Sequence, residues 1–265
     1  MKIGFIGAGK MGGAILKGLI DSDFISRDKI TVSEINEEFA QKISSEYGVK
    51  AITDNNELVQ NADIIIICTK PFVIKDVLEG IKTSIDPSKV LISIAAGIST
   101  STIEKIVGEF PVVRVMPNTP AFLSKGMTVL SKGKYASDSQ LDFAREIFSK
   151  VGKATILPEN LIDAATGISG SGPAFFYFII EALAKGGENL GLDSKTALEL
   201  SAQTALGAAE MIMRTGKSPE ILRKEVTTPG GCTEVGVDVL FDAKIVDILA
   251  ETVSVTAKKA KELGK

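Results

Sequence analysis

The stretch Lys2-Ile3-Gly4-Phe5-Ile6-Gly7-Ala8-Gly9-Lys10-Met11-Gly12 decides the fold. Lys2–Ile6 reads as a short apolar strand, and Gly7–Gly12 follows it with the spacing G-x-G-x-x-G. Met11, Ile15, Leu16, Leu19 and Ile20 then fall on one helical face. Glycine-rich turns are common, but strand, glycine turn and helix in this order form a dinucleotide-binding fingerprint. Gly7 permits the tight turn, Gly9 lets the backbone approach a pyrophosphate, and Gly12 lets the helix pack closely on the strand. Ala8 and Met11 fill the positions between. The helix N-terminus offers amides and partial positive charge to phosphates. Lys10 reads first as an exposed loop lysine and second as a phosphate contact.

Outward from this motif, short apolar runs alternate with helical patterns. Ile30–Ser33, Val49–Ile52, Ala62–Cys68, Val90–Ala95 and Val112–Met116 read as strands. Glu37–Tyr47, Val73–Ile85 and Ser101–Val107 read as helices between them. Ala62–Cys68 is nearly all apolar, as a strand buried on both faces should be. The alternation predicts a doubly wound parallel sheet, an α/β Rossmann domain over residues 1–160. Met127–Leu130 and Ala154–Ile156 extend it as further strands, with a helix near Ser139–Lys150 between them. Residues 161–265 are Ala-rich and helical, without a convincing strand. Here Leu161–Ile168, Pro173–Leu190, Ser194–Thr215, Pro219–Val226, Thr233–Phe241 and Ile245–Leu263 read as helices. Pro173 suits a first helical position, and Asp193 or Ser194 and Ser218 suit N-caps. Phe175–Ile180 make one of these helices apolar all round, so it must be buried on every side. A bundle of this length can hardly enclose it alone, which predicts a homodimer or larger assembly ahead of a monomeric bundle with this helix at its centre.

An acidic marker belongs about 20 residues after the glycine motif. Ser33-Glu34-Ile35-Asn36 sits there. A Glu34 carboxylate would accept hydrogen bonds from a ribose 2′-hydroxyl, which leans towards NADH. Ser33 and Asn36 could still donate to a 2′-phosphate, so NADPH stays open. Other strands end in Thr69-Lys70-Pro71, Ala95-Ala96-Gly97 and Met116-Pro117-Asn118-Thr119-Pro120, where an open α/β sheet binds its ligand. Lys70 and Pro71 suit the nicotinamide ribose side. Ala95, Ala96 and Gly97 leave room for a ring. Asn118 could present its amide to a carboxamide.

The chain has 265 residues, 45% hydrophobic, with formal net charge -3, two Cys, no His and no Trp. Without His there is no Ser-His-Asp triad, no Cys-His pair, no His-ligated metal and no imidazole acid–base chemistry. Cys68 and Cys232 are far apart in sequence, so neither a disulfide framework nor a thiolate metal site is expected, and a cytoplasmic setting is. The charge balance argues against a nucleic-acid partner. No run approaches the roughly 20 apolar residues of a membrane span, so no membrane partner is expected.

Two small-residue stretches stand out in the helical half. Gly167-Ile168-Ser169-Gly170-Ser171-Gly172-Pro173 reads as a loop permitting close backbone packing or ligand approach. Thr227-Thr228-Pro229-Gly230-Gly231-Cys232-Thr233 lies between two helical patterns, so its glycines lead into a helix N-terminus with exposed amides. That is an anion site for a carboxylate or phosphate, with two further hydroxyls at Thr228 and Thr233.

Together these residues resemble the pyrroline-5-carboxylate reductases, the enzymes of the last step of proline biosynthesis. The resemblance spans nearly the whole chain. It rests on Gly7–Gly12, Thr69-Lys70-Pro71, Met116–Pro120, Ser169–Phe175 and, most specifically with the last of these, Val226–Thr233. It implies a C-terminal helical domain that dimerises by interlocking helices, with dimers often assembling into decamers. It also implies an active site between the cofactor domain of one subunit and the helical domain of the other. Thr228 and the amides around Gly230, Gly231 and Cys232 would hold the substrate carboxylate, and Thr233 would sit by the imine nitrogen and supply the proton. NADPH or NADH would donate hydride to C5 of the cyclic imino acid, yielding L-proline. The chain departs from the family pattern at Glu234 and Phe241, and its second cofactor turn lacks the Asn-Arg often associated with NADPH. A β-hydroxyacid dehydrogenase would need a Lys and an Asn where Phe176 and Ile180 stand, so that reading fails. A non-catalytic dinucleotide sensor would keep Gly7–Gly12 and need no site at Gly230–Thr233.

Overall fold

Four consecutive isoleucines, Ile64–Ile67, form a strand buried on both faces at the centre of the sheet. β-branched side chains have few rotamers to lose on a pleated surface, and a run without alternation suits a strand covered on both sides. The computed structural model describes residues 1–263. In chain order the strands are β1 (Ile3–Ile6), β2 (Ile30–Ser33), β3 (Lys50–Ile52), β4 (Ile64–Ile67), β5 (Val90–Ser93), β6 (Val112–Met116), β7 (Gly126–Lys132) and β8 (Gly152–Ile156). They form one sheet in the order β3-β2-β1-β4-β5-β6-β7-β8. All pairs are parallel except β6 with β7. The chain therefore winds one way from β1 to β3 and the other way from β4 onward, and the order reverses between β1 and β4. Ligands of open α/β sheets bind at such a reversal.

Alternate side chains of the strands feed two cores. Ile64 and Ile66 join helices α1 (Lys10–Asp21), α2 (Glu37–Tyr47) and α6 (Asp138–Ser149) on one face. Ile65 and Ile67 join α3 (Asn55–Asn61), α4 (Ile74–Ile81) and α5 (Thr100–Val107) on the other. The period of two along β4 thus sorts its side chains between layers. Helix α3 has no counterpart among the sequence expectations. Only Leu58 and Val59 are buried in it, too few for a helical period, and its visible signal is the cap: Asp54 accepts from the amides of Asn56 and Glu57.

A buried ion pair holds the end of this domain. Arg114 on β6 donates to Asp163 at 2.8 Å and lies 3.7 Å from Glu159. Glu159 in turn accepts from the Thr100 amide (2.7 Å) and hydroxyl (2.6 Å), so it caps α5 from a distance in sequence. The short helix α7 (Ile162–Ala165) carries Asp163 and continues into one π-helical turn, Thr166–Gly170. The small-residue segment expected to be a loop is helical up to Gly170. Its hydroxyls explain this: Thr166 and Ser169 donate to carbonyls four residues back, and the Ser171 amide reaches Thr166 O. Close packing at Gly170 does hold, since a Cβ there would lie 2.9 Å from the Met116 methyl.

The chain forms two compact units, Met1–Ser171 with the residues from Ser254 onward, and Gly172–Val253. The second is helical: α8 (Gly172–Asn189), α9 (Ser194–Thr215), α10 (Pro219–Val226), α11 (Cys232–Asp242) and the first half of α12 (Ile245–Glu262). Asp193 caps α9 through Thr196 N, and Ser218 caps α10 through Ile221 N. Helices α8 and α9 pack on each other, yet Phe176, Tyr177 and Phe178 of α8 are 62%, 62% and 70% exposed within the single chain. The continuous run Glu159–Asn189 is long and apolar enough to cross a membrane, with a mean hydropathy of 1.2 over its best window. That overturns the expectation that no run approaches a span; the apolar residues of 173–180 extend further through small neighbours such as Ala182 and Ala184 than the aromatic stretch alone suggests.

Candidate functional site

The reversal of strand order opens a crevice at the C-terminal ends of β1 and β4. Gly7 turns the chain there with φ +82°, which favours glycine. The next glycines serve two other ends. A Cβ at Gly9 would meet nothing within 4 Å, so the backbone there is open to a ligand. A Cβ at Gly12 would lie 2.8 Å from Gly7 O and 2.9 Å from Cys68 Cβ, so glycine alone lets α1 seat against the turn and β4. Gly9 is the N-cap of α1, no side chain caps it, and no acidic residue occupies the first turn. The helix thus presents unfilled amides and its positive end to the crevice.

Two hollows flank this turn. Gly9, Lys10 and Met11 line one together with Thr69, Lys70 and Pro71, and Ala95 and Ala96 complete its floor. Ala8, Gly9 and Lys10 line the other with Glu34, Phe39, Lys42 and Tyr47. Phe122, on a 3-10 turn after β6, borders both. Thr69 Oγ1 is buried and has no partner, a polar group that a bound molecule would satisfy. The open glycine, the uncapped helix and this orphan hydroxyl fit a dinucleotide.

Electrostatics around the turn are set by Glu34. Its carboxylate accepts from the Ala8 amide at 2.5 Å and so is fixed at the lip of the second hollow. Burial, then the charge of Glu34, pushes the Cys68 thiol well above its ordinary pKa. Cys68 is therefore a neutral packing group. Burial, then a hydrogen bond and charge repulsion from Glu46, raises the Tyr47 phenol to about 12.

Other expected residues lie differently. Ser33 is buried, its hydroxyl without a partner, and Asn36 caps α2 through Phe39 N; neither lines a hollow. Gly97 serves the chain turn with φ +79°. Asn118 is engaged with two backbone partners. Its Oδ1 accepts from Met127 N (2.8 Å) and its Nδ2 donates to Ser169 O (2.9 Å), so it ties β7 and the π turn to the loop after β6. The buried position and the two backbone partners leave one Nδ2 hydrogen free. Phe39, Lys42, Tyr47 and Phe122 escaped the sequence reading, because nothing in their own neighbourhood marks them.

In the helical unit, the turn before α11 has Gly230 at φ +71° and Gly231 as N-cap without a side-chain cap. The Gly231 amide donates to Thr228 O at 2.9 Å, and a Cβ at Gly231 would clash with the Thr228 hydroxyl. Glu234 accepts from the Gly230 amide at 2.8 Å. Two amides expected for a substrate carboxylate are thus engaged within the turn, since Glu234 lies one helical turn on and reaches back as capping residues do. Cys232 and Thr233 are the first residues of α11.

Residues 2–97 match the family model described as NADP oxidoreductase coenzyme F420-dependent. Fold, crevice and match define a dinucleotide-dependent oxidoreductase. Residues 159–263 match the model for pyrroline-5-carboxylate reductase dimerisation. The chain is 44% identical to the pyrroline-5-carboxylate reductase of Methanosarcina acetivorans over 100% of its own length and 98% of the relative's. A solved pyrroline-5-carboxylate reductase from Coxiella burnetii superposes with a TM-score of 0.95 at 35% identity, covering 100% and 98% of the two chains. A Plasmodium falciparum pyrroline carboxylate reductase with NADP bound gives 0.90 at 30% identity over 100% and 98%. The chain belongs to the pyrroline-5-carboxylate reductase family. It forms homo-oligomers, in keeping with the dimerisation match over the segment that contains exposed α8 and α9.

Proposed function

We propose that this chain reduces 1-pyrroline-5-carboxylate to L-proline with NADPH or NADH, the final step of proline biosynthesis. The observation that carries the reading is the open, uncapped glycine turn in a chain 44% identical to a reductase of that substrate over its whole length. The bound nicotinamide supplies hydride to C5 of the imine. The chain's part is to position the partners and settle one proton. Gly7, Gly9 and the first amides of α1, over Lys10–Gly12, hold the pyrophosphate. Thr69 gives its orphan hydroxyl to the cofactor, beside Lys70 and Pro71. Ala95, Ala96 and Gly97 keep space for the ring, and Asn118 holds the loop after β6 in place.

In the helical unit, the hydroxyl of Thr228 and the amides of Cys232 and Thr233 receive the substrate carboxylate, aided by the positive end of α11. Gly230 and Gly231 shape the turn. The imine nitrogen gains a proton as C5 gains hydride, and the Thr233 hydroxyl or a water it orients delivers that proton. Protonated in this way, the nitrogen carries the positive charge that draws hydride to C5, so this chemistry works without His. The assembly is a homodimer that builds towards a decamer, and the two free cysteines suit the cytoplasm.

The test follows NAD(P)H absorbance with the imine. The wild type oxidises the reductant only when the imine is present; no turnover at high enzyme concentration favours a dinucleotide sensor. Thr233→Ala lowers kcat/KM at least about tenfold. A change within about twofold, well under 1 kcal/mol, removes Thr233 from the reaction.

A further inference from the structure

We propose that Glu34 makes this protein selective for NADH over NADPH. The inference rests on the cofactor reading above, but not on the identity of the imine. Its first ground is geometry. Glu34 Oε1 accepts from the Ala8 amide at 2.5 Å, so the carboxylate is held at the lip of the hollow beside the glycine turn. There an ionised carboxylate can only accept hydrogen bonds. A ribose bearing free hydroxyls donates to it, whereas a ribose 2′-phosphate brings negative charge and acceptor oxygens.

The second ground is what surrounds it. Within Ser33–Glu38 there is no basic residue, and Glu37 and Glu38 fill the first turn of α2. Ser33 is buried, and Asn36, whose Oδ1 is committed to Phe39 N, has only a neutral amide to offer a phosphate and no positive charge. Lys10 and Lys42 do line the hollow. Both are exposed point charges on flexible stems, without the forked donor geometry that grips a phosphate. A fixed carboxylate against two mobile ammonium groups favours the unphosphorylated ribose.

The experiment measures dissociation constants of NAD+ and NADP+ by calorimetry on the intact oligomer, with no imine present. The wild type binds NAD+ at least about tenfold tighter than NADP+, the size of one charge-assisted hydrogen bond. Glu34→Gln keeps the shape, removes the charge, and narrows the ratio by about tenfold. Equal or tighter binding of NADP+ by the wild type overturns the proposal, as does an unchanged ratio in Glu34→Gln. Binding of neither dinucleotide overturns the cofactor reading and this inference with it. Normal binding without imine turnover leaves the inference standing and sinks only the proposed reaction. The wild-type ratio needs no variant, so a misfolded Glu34→Gln cannot mask the outcome.

Discussion

Gly9→Ala and Gly12→Ala differ by three positions in one motif and should fail in opposite ways. At Gly12 the added methyl would lie 2.8 Å from a backbone oxygen and 2.9 Å from Cys68 Cβ. Neither neighbour is the end of a flexible chain, so α1 must shift away from the turn. Alanine gains about 1 kcal/mol of helix propensity over glycine, while overpacking costs roughly 1–3 kcal/mol. With a backbone oxygen in the way the cost sits in the upper part of that range, so the net is a loss of about 1–2 kcal/mol, or roughly 2–8 °C in the thermal midpoint for a chain of this size. The helix amides move with it, so NAD(H) affinity falls too. At Gly9 the methyl meets nothing within 4 Å, and φ −58° is open to any L-residue. An N-cap change from glycine to alanine costs about 0.5 kcal/mol. Stability should stay within about 2 °C, yet the methyl stands where a pyrophosphate must approach, and affinity should fall at least about tenfold. Paired thermal melts and dinucleotide titrations read both effects. Wild-type affinity in Gly9→Ala, or wild-type stability in Gly12→Ala, would refute the division of labour between the two glycines.

Two further outcomes follow from packing. Arg114→Met leaves Asp163 and Glu159 partly buried without their cation, and chemical denaturation should register about 2–4 kcal/mol of destabilisation, somewhat below the figure for fully buried pairs because both carboxylates reach solvent; the double variant with Asp163→Asn should recover part of it. Phe178→Glu places a charge on the exposed apolar face of α8, and light scattering at micromolar concentration should show the oligomer shifting to smaller species, an interface loss of about 2 kcal/mol or more.

Much of the fold was legible because its signals are local. The glycine motif, the apolar run at Ile64–Ile67 and the caps at Asp193 and Ser218 each announce themselves within a few residues. Helix α3 was not, since a seven-residue helix with two buried side chains has no period to detect. The π turn at Thr166–Gly170 was hidden for a different reason. Small residues signal a loop, whereas here their hydroxyls feed the helix's own carbonyls. Asn118 shows the limit at the site. Two flanking prolines mark a rigid loop, but its partners, Met127 and Ser169, come from elsewhere in the chain. Glu34 was visible as an acidic residue at the right distance; its bond to Ala8 was not. Glu234 was visible only as a departure from a pattern, and its bond to Gly230 explains its place as a cap.

The bare aromatic flank of α8 has a consequence for how the protein comes into being. A newly made chain carries Phe176, Tyr177 and Phe178 in water until it meets another. Its final maturation is then a collision between two chains, and its rate scales with the square of their concentration. Scarce chains linger half-finished, with sticky surface available to chaperones and proteases. Because association stabilises only the assembled state, the temperature at which the protein melts should climb as its solution is made more concentrated.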